Sequence, residues 1–312
     1  MNNEIESFSE NNLFNICVIG VGNGGIRAIN MMHGKGVPGV EYVICDTDEI
    51  LLGESKVSHK IHIKGKKSLS EHNIIQLKKY TQPATVLFVF AGMGGDIGEN
   101  LLPKIIEIIS QENIWTICVL TIPFVFEGAD KIERAKEGIE QIKCLNNSVI
   151  ELNSQLILQQ HPETKQSEAF EKLHNIQFEL LTNIEKSLPW HSYISTDFSD
   201  FYSKFKDIRQ TVIGRGISTG ENRIQKAINT ASEFPLFDQI DLASFDIIYI
   251  MIHCSQDYQL KMEEVDQIYL FEECLRANII LIWSACFDND LQEKAEVVAI
   301  AGKLNGSVPK FV

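Results

Sequence analysis

Short, almost unbroken apolar runs separated by amphipathic stretches organise this chain. NICVIGVG (15–22), EYVICD (41–46), ATVLFVFAG (84–92) and IWTICVLTIPF (114–124) are each too short for a buried helix and end on glycine, an acid or a Pro-Phe pair. Runs of that length without polar alternation predict strands covered on both faces. IRAINMMHG and LLPKIIEIISQE, between them, have helical spacing. Lys60, Lys64, Lys66 and Lys67 form an irregular basic patch, expected to be a solvated loop. A charged amphipathic helix is predicted over 129–144 and a strand over 148–153. Residues 165–188 hold neither proline nor glycine and carry apolar side chains at helical intervals, which predicts one long helix stopped by Pro189. The alternation then resumes through GRGISTGENRIQKAI, a strand at 245–254, a helix of mixed charge, a strand at 278–287 and EVVAIAGKL.

This pattern predicts an α/β fold: a parallel-sheet domain joined by a long central helix to a smaller α/β domain. The expected boundaries are a disordered tail at 1–12, a first domain at 13–164, the helix at 165–188 and a second domain at 189–312. A chain of 312 residues can bury cores of that size. The net charge of −14 disfavours nucleic acid and anionic lipid as partners, yet leaves a single nucleotide open, because backbone N–H groups hold phosphates without net positive charge. Seven cysteines without a C-x-x-C pair are expected as reduced thiols, mostly buried. The polar, acidic N-terminus does not resemble a signal peptide, and no apolar run reaches the ~18 residues of a membrane span. A cytoplasmic protein is expected, without direct membrane insertion.

Two glycine-rich loops carry the chemistry. Gly20-Val-Gly22-Asn23-Gly24-Gly25 satisfies G-x-G-x-x-G between a predicted strand and helix, where close backbone approach and a helix N-terminus favour a phosphate. With Asp46 ending the next strand, this motif alone also fits an NAD-dependent oxidoreductase. The second loop, Gly92-Met93-Gly94-Gly95-Asp96-Ile97-Gly98, again lies between strand and helix. A dinucleotide fold needs no second cradle at that point, whereas a nucleoside triphosphate can use two.

With both loops in place, the chain resembles the FtsZ-like members of the tubulin/FtsZ GTPase superfamily. ICVIGVGNGGIRAINMM, VICDTDEILL, AGMGGDIGE, PFVFEG, STDFSD and GRGISTGENRIQKAINTASEFPLFDQIDL are similar to that family's segments, in its order, from about residue 14 to 303. The resemblance implies GTP or GDP as ligand, with Mg2+ as a further candidate. It implies phosphate contacts from Gly20, Gly22, Asn23, Gly24, Gly25, Gly92, Met93, Gly94 and Gly95, and ribose or base contacts from Glu127, Lys131, Asn153 and Asn175. It further implies head-to-tail self-association, in which Asp197 and Asp200 of one subunit act on the nucleotide of the next.

Three departures shape the expectation. Asp96, Ile97, Glu99 and Asn100 replace small or hydroxyl residues of the family's phosphate loop, and both acids are expected to repel a phosphate. Between Asp48 and Ala84 no counterpart of the family's glycine-rich γ-phosphate loop is found. The chain ends soon after its last predicted strand, without the linker and anchor-recruiting C-terminal peptide of division proteins, so the ordinary division-ring subunit is not expected. The reading is a divergent FtsZ-like cytoskeletal protein that binds guanine nucleotide; a pseudo-GTPase assembly module and, third, the NAD-dependent oxidoreductase stay open.

Overall fold

The computed structural model describes residues 15–304 except 38, 66–67, 113, 146–147, 161, 189–191, 195–202, 206–207, 234–240 and 277. Strands β1 (Ile16–Val21), β2 (Val40–Asp46), β3 (His59–His62), β4 (Val86–Gly92), β5 (Trp115–Ile122) and β6 (Ser148–Asn153) form a parallel array in the order β3-β2-β1-β4-β5-β6. One bridge, Val149 to Gln210, joins β6 to β8 (Ile208–Ser218). Beyond it the sheet is mixed, continuing β8-β11-β9-β10-β7 through β11 (Ala295–Leu304), β9 (Ile247–Cys254), β10 (Ile280–Phe287) and β7 (Ser192–Ile194).

Alternate residues of each central strand feed opposite cores, which is why the runs read as continuously apolar. In β4, Val86, Phe88 and Phe90 face one core while Leu87, Val89 and Ala91 face the other. The first core is covered by α1 (Gly22–Lys35), through Ile26, Ile29 and Met32, and by α8 (Gln166–Ser187), through Leu173, Leu180, Leu181 and Ile184. The second is covered by α3 (Glu71–Thr81), α5 (Leu102–Ser110) and α6 (Ala129–Lys143). In β9, Tyr249 and Met251 also face the first core, so α8 packs against both halves of the sheet. Ile248, Ile250 and Ile252 instead meet α9 (Arg223–Ser232) and α10 (Met262–Cys274). Each such fully buried aliphatic side chain contributes about 1.5–3 kcal/mol relative to exposure.

The expected basic loop is corrected. Lys60 lies in β3, and its Nζ donates to the Ser55 carbonyl at 2.7 Å. Ile61 supplies the one fully buried side chain of this four-residue edge strand, too little alternation to reveal it in sequence. Around it the structure adds α2 (Glu49–Glu54), capped by Asp48, and α3, whose Ser70–Asn73 capping box is formed. α4 (Asp96–Asn100) and α7 (Ser154–Gln160) complete the helices used below. Five cysteines are buried, Cys144 and Cys274 are exposed, and all seven are unpaired. Among the described residues, no helix is long and apolar enough to cross a membrane.

Candidate functional site

The strand order 3-2-1-4-5-6 reverses direction between β1 and β4, and ligands of open α/β sheets bind outside the strand ends at such a switch point. A cleft of about 650 Å³ opens there. The loop after β1 and the loop after β4 form one end of it, and α8 forms the other side.

The glycines divide into two groups. Gly22, Gly24, Gly92 and Gly95 line the cleft. Gly22 has a φ of 73°, which a side-chain-bearing residue rarely adopts, and starts α1 without a side-chain cap. The first-turn N–H groups of α1 are therefore left for a ligand. A Cβ on Gly24 would lie 3.1 Å from the Gly92 Cα, so the two loops touch backbone to backbone. Gly20, Gly25 and Gly94 do not line the cleft; they let its walls meet. A Cβ on Gly25 would lie 2.2 Å from the Phe90 carbonyl oxygen, and one on Gly94 2.1 Å from that of Lys131. A Cβ on Gly20 would lie 2.7 Å from the Gly25 carbonyl oxygen. Met93 reaches the cleft but is 98% buried, lodged against Gly138 of α6.

Around this cradle, Asn23, Glu127 and Lys131 line the cleft as expected. The Glu127 carboxylate is already engaged: Oε1 accepts from the Phe124 N–H at 3.0 Å, and Oε2 from Lys131 Nζ at 2.5 Å. Asn153 does not line it; its Oδ1 accepts from the Gln155 N–H at 3.1 Å and starts α7. Asn175 does not line it either, because its Oδ1 accepts from Lys35 Nζ at 2.8 Å. Asp197 and Asp200 lie outside the described residues.

Asp96 and Ile97 border the cleft at the start of α4, with the Ile97 side chain against Gly22. Glu99, expected to repel a phosphate, points elsewhere: its Oε1 lies 3.3 Å from Arg134 Nη1 on α6, and it is not part of the cleft wall. Asp46, the expected ribose acid of a dinucleotide fold, is 97% buried, accepts from the Asp48 N–H at 2.8 Å and does not line the cleft. Burial raises its pKa.

Sequence reasoning missed Arg27, Thr47, Thr121, Ser154, Phe170, His174 and Gln177, all on the wall. Their spacing held a signal: 23 and 27 share one face of α1, and 170, 173–174 and 177 share one face of α8. The Phe170 ring meets Phe124 edge-on at 5.1 Å. Burial lowers the pKa of His174, reinforced by the Arg27 charge and opposed by its hydrogen bond with Gln177.

Fold and cleft define the class: a two-part α/β protein with paired glycine loops suited to a phosphorylated ligand. The chain matches the model of the Tubulin/FtsZ family, GTPase domain, over residues 15–160, and that of the FtsZ family, C-terminal domain, over 210–305. It is 28% identical to the cell division protein FtsZ of Porphyromonas gingivalis over 303 residues, 92% of this chain and 66% of that protein. It is also 28% identical to that of Mycoplasmopsis pulmonis, over 94% of this chain and 78% of that one. Its fold is shared with a solved FtsZ dimer of M. jannaschii, described as empty (TM-score 0.79, 24% identity, covering 96% of this chain and 90% of that one). It is shared also with CetZ2 from Haloferax volcanii, solved as a GTPγS-bound protofilament (TM-score 0.73, 13% identity, 94% of each chain). This chain belongs to the tubulin/FtsZ family, as a divergent FtsZ-like member.

Proposed function

We propose that the cleft binds a guanine nucleotide and that the protein assembles head to tail in the cytoplasm. The observation that carries this reading is the backbone contact of two glycine loops at the uncapped start of α1, on the switch point of the sheet. In this reading the N–H groups of Gly22, Asn23, Gly24, Gly92 and Gly95 hold phosphates, and Mg2+ enters with the nucleotide. Glu127 and Lys131 border the ribose. Gly20, Gly25 and Gly94 act by permitting close packing. The domains are taken as 13–164 and 189–312, with the helix of 165–188 between them. The protofilament of CetZ2 supports assembly with nucleotide between subunits. Asp197 and Asp200 of one subunit would then position water at its neighbour's nucleotide.

A second reading, assembly with little or no turnover, is favoured by Asp96 and Ile97 on the cleft wall, where a carboxylate and a methyl-bearing chain replace neutral or hydroxyl groups. The NAD-dependent oxidoreductase reading loses support, because Asp46 is buried away from the cleft. Titration of the purified protein with GTP, GDP, ATP and NAD, followed by sedimentation and phosphate release, separates the three. Selective guanine-nucleotide binding with nucleotide-dependent pelleting is expected. Absence of guanine-nucleotide binding at high micromolar concentration would overturn the proposal, and phosphate release distinguishes an enzyme from an assembly module.

A further inference from the structure

Asn175, the residue that resemblance marks as the reader of the base, is held by Lys35 outside the cleft. The side chains α8 does present there include Phe170, His174 and Gln177. Gln177 Nε2 donates to Thr121 Oγ1 at 3.0 Å, which leaves the Gln177 amide oxygen as the partner of His174 Nδ1, 3.0 Å away. This chain places the imidazole proton on Nδ1 and leaves Nε2 as an acceptor. Burial keeps the ring neutral by lowering its pKa.

Arg27 borders the same cleft from α1 and lies close enough for its charge to act on His174. Its Nε donates to Asn23 Oδ1 at 2.8 Å, which holds the guanidinium plane. No described residue takes the two terminal nitrogens. Arg27 is five residues beyond Gly22, about 7.5 Å along the helix, so it stands well past the phosphate cradle. Phe170 adds an aromatic surface on the α8 side of the cleft, suited to stacking a base.

A paired donor and a single acceptor beside an aromatic ring match one purine. Guanine offers O6 and N7 as acceptors to a guanidinium, and its ring N–H and amino group as donors to an imidazole nitrogen. Adenine would set its amino group against the arginine donors and its ring nitrogen against the imidazole lone pair. We propose that Arg27 and His174 are the base-reading pair of this cleft and select guanine over adenine. The inference rests on the nucleotide reading above.

Calorimetric titration of the nucleotide-free full chain with GDP, ADP and GTP tests it, on the wild type, Arg27→Met and His174→Phe. The wild type is expected to prefer GDP to ADP. Arg27→Met is expected to weaken GDP by about ten- to a hundredfold while leaving ADP within about twofold. His174→Phe is expected to weaken GDP by about tenfold. Equal losses for GDP and ADP, or a penalty that grows from GDP to GTP, would place Arg27 on the phosphates and overturn the proposal. An unchanged GDP-to-ADP ratio in both variants would overturn it as well. A wild type that binds neither purine nucleotide defeats the nucleotide reading itself. Arg27 is exposed, so an unchanged thermal midpoint of the free Arg27→Met protein is expected, and Arg27→Gln serves as the second variant if that midpoint falls.

Discussion

Replacing Asp96 by asparagine removes one negative charge from the cleft wall without changing side-chain size. Two unit charges ~4 Å apart interact by about 4 kcal/mol at an effective dielectric of 20 and by about 1 kcal/mol in water. Asp96 is exposed, so the lower figure applies, and about 1 kcal/mol corresponds to roughly fivefold in affinity. The same carboxylate opens α4, where the helix dipole favours an anion by about 0.3–1 kcal/mol. Asp96→Asn is therefore expected to tighten GTP about fivefold at low salt while slightly lowering the melting temperature of the free protein. The gain should be larger for GTP than for GDP, and should fade near 1 M salt, where the screening length is about 3 Å. Glu99→Gln is the control: its carboxylate lies by Arg134, away from the cleft, and nucleotide affinity should stay within about twofold. Calorimetric titration across a salt series measures all of this. Equal effects from the two substitutions, or a gain from Asp96→Asn that ignores salt, would refute the electrostatic reasoning.

Gly25→Ala and Gly34→Ala, both in α1, should have opposite signs in denaturant titration. The first places a Cβ 2.2 Å from the Phe90 carbonyl oxygen and should cost about 1–3 kcal/mol or more, whereas the second meets nothing within 4 Å and should stabilise by about 0.5–1 kcal/mol. Arg223, 95% buried, donates to Glu264 at 2.7 Å and to the Tyr258 carbonyl at 2.8 Å, so Arg223→Met should destabilise by about 3–5 kcal/mol in the same assay. Burial alone would raise the Glu264 pKa, but the Arg223 bonds lower it below the usual carboxylate value. That contribution to stability is fully present above the unfolded pKa, near 4.3, and is lost as pH falls through the folded one; thermal melts of wild type and Glu264→Gln should converge there. Guanine-nucleotide affinity should hold above pH ~6.5 and decline as acid protonates His174, whose folded pKa lies below that value, with a flatter profile in His174→Phe.

The chain's local pattern determined a large part of this protein. Continuous apolar runs could only be strands covered on both faces, and the structure places them between two cores. A proline-free, glycine-free periodic segment became the helix Gln166–Ser187, within a residue of its expected ends. The two glycine loops, their order and the surrounding segments were enough to identify the family. Tertiary structure decided which groups face the ligand. Gly22 and Gly24 reach the cleft while Gly20 and Gly25 pack helix against strand, a division no local spacing encodes. Asn175 is drawn away by Lys35, 140 residues earlier, and Glu99 by Arg134 on another helix. Arg27 and His174 come together for the same reason in reverse, because the packing of α1 and α8 on one core sets them on the same wall. Backbone periodicity is a local property and can be read along the chain, whereas side-chain direction depends on partners that only the packed elements bring within reach.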